Sequence, residues 1–95
     1  MTGYTEFKSI ELKALFRKVD VVEQNITADI LHKNNWIATL TFNLRENTVH
    51  TAGSFDDVQH LRKHGIDELF IISRVKERAL TIIYNKVTQL EVFHI

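Results

Sequence analysis

The chain has 95 residues and a mass of 11.1 kDa, so it holds one modest hydrophobic core and is read as a single domain spanning residues 1–95. Twelve Lys and Arg balance twelve Asp and Glu. That balance removes the basic signature common among nucleic-acid binders, and also the net charge that keeps small proteins apart. The absence of cysteine excludes a disulfide framework, a thiolate metal site and a cysteine nucleophile.

Proline is absent and glycine occurs three times, which argues against a linker or a glycine-rich phosphate loop. Val, Ile and Thr supply 27 residues, a load that favours sheet. Charges recur through Met1–Phe16 and no long apolar run follows, so neither a signal peptide nor a membrane span is expected. The expected compartment is the cytoplasm.

In chain order, Ser9 is placed to cap a helix carrying Ile10, Leu12, Leu15, Phe16 and Val19. Glu11 sits near its start and Lys13, Arg17 and Lys18 gather toward its end, as the helix dipole prefers. Its apolar arc is wide enough to face both a sheet and a partner. Next, Ile26, Ala28 and Ile30 alternate with polar residues, and Trp36, Ala38, Leu40, Phe42 and Leu44 do the same after Asn34-Asn35. Alternation of this kind predicts two half-buried strands joined by a tight turn at the asparagines. It also places Trp36 and Phe42 in the core. Arg45 to Thr48 predicts a second turn and Val49 to Ser54 a third strand, with Gly53 marking a bulge.

Asp56 or Asp57 can start a short helix that ends at His64, with Gly65 as its left-handed stop. Leu69–Ser73 reads as a buried strand and Arg74–Arg78 as a charged hairpin tip. Ala79–Tyr84 and Val87–Ile95 read as the last strands. The expected order is α-β-β-β-α-β-β-β. This is an α+β domain in which a small antiparallel sheet of five to six strands, barrel-like in one alternative, carries an N-terminal helix and a short helix between strands 3 and 4. Residues 55–68 fit either a parallel crossover or an insertion. In element order alone, the barrel alternative resembles SH3-like and Sm-like barrels, which implies a nucleic-acid-binding role as one expectation.

Candidate chemistry is sparse. His60 and His64, four apart on a helix, would share a face and are the candidate metal ligands, with His50, Asp56 or Asp57 as a third. A solvated surface explains them as well, and no metal or other cofactor is assigned. Ser9, Ser54 and Ser73 lie in no nucleophile elbow, and the pairs Asp56-Asp57 and Asp67-Glu68 flank a helix where capping accounts for them. No enzymatic activity is expected. Arg74, Lys76 and Arg78 on a hairpin tip could meet phosphates or an acidic partner. Leu90, Val92, Phe93 and Ile95 form an apolar strand end that invites pairing with another chain. The leading expectation is a non-enzymatic interaction or regulatory module that works through protein contacts as a homodimer. The alternative is a nucleic-acid-binding barrel using the basic tip, and a metal-binding protein or small enzyme stands third.

Overall fold

The computed structural model describes residues 11–85 and 91–95. Four strands form an antiparallel meander: β1 (Leu12–Asp20), β2 (Asn25–His32), β3 (Asn35–Asn43) and β4 (Thr48–Gly53). A 3-10 helix (Asp56–His64) and helix α1 (Glu68–Tyr84) follow, and β5 (Glu91–His94) returns to pair antiparallel with β1. The sheet order is β4-β3-β2-β1-β5. The chain therefore leaves one edge of the sheet and crosses it with both helices. The sheet stays open, with β4 and β5 at opposite ends, so the barrel alternative is not realised.

The first difference from the sequence reading lies in β1. Leu12, Ala14 and Phe16 are buried, whereas Lys13 and Leu15 turn outward, which is a period of two rather than 3.6. Arg17 is an extra residue between the Phe16–Ala28 and Lys18–Thr27 pairs, and this bulge returns Val19 to the buried side. The bulge made the apolar residues look like a helical arc. Ser9, the expected cap, lies outside the described residues.

The β2–β3 hairpin forms as expected, with its turn one residue earlier. Lys33 and Asn34 both have positive φ, at 54° and 67°, as a type I′ turn requires, and His32 pairs with Asn35. The other two hairpins share a device. Asp20 Oδ1 accepts from the Glu23 N–H and Asn43 Oδ1 from the Glu46 N–H, while Gln24 and Asn47 close the loops at positive φ.

The second difference is larger. Leu69–Tyr84 contains no pair of strands and no hairpin tip; it is part of one 17-residue helix. Asp67 caps it by accepting from the Phe70 N–H at 2.8 Å, and Ile71, Val75, Ala79 and Ile82 repeat with helical spacing along the buried side. These four side chains cover the sheet face made by Leu12, Ala14, Phe16, Ile26, Ala28, Ile30, Ala38, Leu40 and Phe42. Asp67→Ala should cost about 1 kcal/mol. That corresponds to a fall of about 4–8 °C in the thermal midpoint, readable by circular dichroism.

The short helix ends as its sequence suggests. Gly65 takes φ 82°, and the Ile66 N–H reaches the Leu61 carbonyl. Val58 and Leu61 are its buried residues. Residues 55–68 are the first part of a helical crossover from β4 to β5, which run parallel to each other at opposite edges of the sheet, and not an insertion between neighbouring strands. Of the expected last strand, Glu91–His94 forms, and residues 86–90 lie outside the described residues.

Candidate functional site on the outer sheet face

One face of the sheet is covered by the helices, and no helix or strand among the described residues covers the other. On the outer face, Val92, Leu15, Asp29, Thr39 and Ala52 stand opposite one another on adjacent strands, and Lys13 pairs with His94 and Leu31 with Trp36. Trp36 is the feature the alternating pattern misplaced. Ile30 pairs with Ala38 and Leu31 with Trp36, so Ile37 is an extra residue in β3. The bulge turns Ile37 and Ala38 together into the core and reverses the side taken by Trp36. Phe42 is fully buried as expected, but Trp36 is 54% exposed.

The indole is held in place. Its Nε1–H donates to Thr39 Oγ1 at 2.8 Å, and the Thr39 hydroxyl donates to Asp29 Oδ1 at 2.7 Å. Arg17 Nε donates to Asp29 Oδ2 at 2.8 Å. Four residues from three strands thus form one chain of bonds, and the Arg17 bulge described above presents its guanidinium to this face. Gly53 completes the support. A Cβ there would come within 3.0 Å of Trp36 Cη2 and within 2.4 Å of the Ile37 carbonyl oxygen, so only glycine lets the ring and the bulge sit this close. The bulge expected at Gly53 is therefore on the neighbouring strand, and Gly53 accommodates it.

The other expected sites are placed differently. Arg74, Lys76 and Arg78 lie on α1, where Arg74 and Arg78, four apart, share a face beside Phe93 and Lys76 turns away from them. The Arg74 guanidinium lies 5.4 Å from the centre of the Phe93 ring, with Glu77 3.7 Å away, while Lys76 Nζ donates to Asn47 Oδ1 at the β3–β4 turn. His60 and His64 sit on a 3-10 helix, in which residues four apart differ by about 120° in direction. The His60 ring lies against His32, with centroids 6.2 Å apart. Among the described residues no three His, Asp or Glu side chains gather to hold a metal. Of the apolar end residues, Phe93 and Ile95 pack against the core and only Val92 is exposed, at 50%. Leu90 lies outside the described residues.

A pocket between β4, the 3-10 helix and the start of α1 is lined by Thr51, Ser54, Gln59, Arg62 and Asp67 among others, and measures about 170 Å³. That is below the range of roughly 300–1,000 Å³ typical of small-molecule sites. No helix among the described residues is long and apolar enough to cross a membrane.

The fold and this face define a two-layer α+β domain with an open antiparallel sheet, helices on one side and a braced aromatic residue on the other. Comparison of the chain with protein families, curated proteins and solved structures finds no match.

Proposed function

We propose that the protein is a small non-enzymatic interaction module of the cytoplasm, homodimeric, that offers the outer face of its sheet to a protein partner. The observation that carries this reading is the half-exposed Trp36, fixed by its bond to Thr39 and seated over Gly53. Tryptophan and arginine dominate binding energy at protein interfaces, and an anchor already held in one position loses little entropy when it binds. Leu31 stands beside it on β2, and Leu15 and Val92 continue the apolar part of the face two and three strands away, past Asp29 and Lys13.

The single tryptophan supplies the assay. Peptides selected from a random library on the wild-type protein should change Trp36 fluorescence and bind Trp36→Ala at least about tenfold more weakly. Selected peptides that bind Trp36→Ala as tightly as the wild type would overturn the sheet-face reading.

A second reading has one observation in its favour. Lys13, Arg17 and Lys18 lie on β1, the strand that also presents Leu15 to this face, and an exposed indole can stack on an unpaired base. Quenching of Trp36 by single-stranded oligonucleotides that weakens as salt is raised supports it, and no salt-sensitive binding at micromolar protein sinks it.

A further inference from the structure

The edge at β4 carries a further assignment. The Ser54 N–H donates to the Ile37 carbonyl at 3.0 Å, and bonded pairs in an antiparallel ladder alternate. Thr39–Ala52, Thr41–His50 and Asn43–Thr48 are therefore the bonded pairs between β3 and β4. The bond from the Leu44 N–H to the Gln24 carbonyl gives the same parity on the other side of β3. It follows that the N–H and C=O groups of Val49, Thr51 and Gly53 point off the edge of the sheet. Among the described residues none of these groups has a recorded hydrogen bond.

Natural edge strands are blunted by lysine, proline, inward charges or bulges. β4 reads Thr-Val-His-Thr-Ala-Gly, without an acid, lysine, arginine or proline, and pairs with β3 through six positions without a shift. The opposite edge is weaker. The Ile95 N–H bonds to the Leu12 carbonyl, so β5 leaves free only the backbone groups of Val92 and His94.

We infer that β4 pairs antiparallel with β4 of a second copy of this chain, about a two-fold axis at His50. The inference rests on the homodimeric reading above and specifies its surface and register. Val49 and Thr51 are symmetric about His50, so pairing sets Val49 opposite Thr51 twice, with reciprocal N–H···O=C bonds at each pair. A register centred on Thr51 would need Gly53, whose φ of 94° takes it out of extended geometry. In the His50 register no acidic side chain, lysine or arginine of β4 is set against another. The zero net charge of the whole chain adds no long-range repulsion between copies. A two-fold perpendicular to the sheet keeps both outer faces on the same side, so the dimer presents two Trp36 surfaces to one partner.

The test is the solution mass of the full chain by light scattering and sedimentation. The wild type is expected near twice 11.1 kDa at micromolar concentration. Thr51→Pro and Val49→Lys are expected to be monomers with retained circular dichroism. The Thr51 N–H takes no part in the β3 ladder, so proline there removes no bond within the protomer. As a measurement that does not depend on how these variants fold, His50→Cys in this cysteine-free chain is expected to cross-link to itself on mild oxidation. The paired Cα atoms would be about 4.5 Å apart, within the reach of a disulfide. Ala52→Cys, offset along the strand, is expected not to cross-link. A monomeric wild type overturns the homodimeric reading and this inference together. A dimer that survives both edge variants, or cross-links through Ala52→Cys but not His50→Cys, overturns this inference alone.

Discussion

Val75→Asp is expected to leave little folded protein. Val75 is fully buried between α1 and the sheet, within the apolar core cluster. An unpaired carboxylate in such a place costs several kcal/mol, and the lost valine burial adds roughly 1.5–3 kcal/mol. Total stability for a domain of this size is about 5–14 kcal/mol, so the substitution consumes much or all of it. The neighbouring change Glu77→Lys lies on the exposed side of the same helix and should stay within about 0.5 kcal/mol. Equilibrium urea unfolding of the two variants distinguishes a helix from a hairpin tip. A tip would place both positions in solvent and make both changes mild.

Gly53→Ala is expected to destabilise the protein by about 2–4 kcal/mol, and Gly65→Ala by only about 1 kcal/mol. Both glycines have positive φ, at 94° and 82°, so both variants bear the left-handed penalty. They differ in surroundings. A Cβ at Gly53 meets the Ile37 carbonyl oxygen at 2.4 Å and the Ala38 Cα at 2.8 Å, whereas nothing lies within 4 Å of one at Gly65. The backbone of β3 must move to admit the first, and Trp36 moves with it. Gly53→Ala should therefore also change the fluorescence of Trp36, and Gly65→Ala should not. Equal losses in the two variants, with unchanged emission in both, would contradict the close approach at Gly53.

These two positions show where the sequence could be read and where it could not. The β2–β3 hairpin was legible because Ile26, Ala28 and Ile30 and then Ala38, Leu40 and Phe42 alternate without interruption, and each set is buried. The short helix was legible at its end, because Gly65 followed by Ile66 is a local signal that needs no tertiary context. β1 and Trp36 failed for one shared reason. A bulge inserts a single residue, at Arg17 or Ile37, and every side chain beyond it changes face relative to a simple alternation. Such a bulge is set by pairing with a neighbouring strand, which local periodicity does not contain.

Helix α1 failed differently, and its signal was present. Ile71, Ile72, Ile82 and Ile83 are β-branched and suggested strands, and the charges of Arg74–Arg78 suggested a tip. Yet no Gly, Pro, Asn or Asp lies between Glu68 and Tyr84, and Ile71, Val75, Ala79 and Ile82 keep a helical spacing through the supposed turn. Asp67 before that run is an ordinary helix start. Spacing was the better guide than propensity here, because burial against the sheet outweighs the few tenths of a kcal/mol by which each β-branched residue disfavours a helix.

The zero net charge also looks different on the finished fold. On α1, Arg74 and Arg78 stand together beside Phe93 while Lys76 turns away to Asn47, so the three cations do not form the single hairpin tip expected. The aromatic residue assigned to the core is instead on the outer face, two strands from the one that carries Lys13, Arg17 and Lys18.

The central claim is that Trp36 stands on that outer face, braced but open. Fluorescence of the native wild-type protein tests it most directly, because Trp36 is the only tryptophan. Acrylamide is expected to quench the folded protein at a substantial fraction of its rate in the urea-unfolded chain, with emission shifted only modestly to the blue. Emission shifted strongly to the blue and nearly immune to acrylamide would place Trp36 in the core and contradict the account.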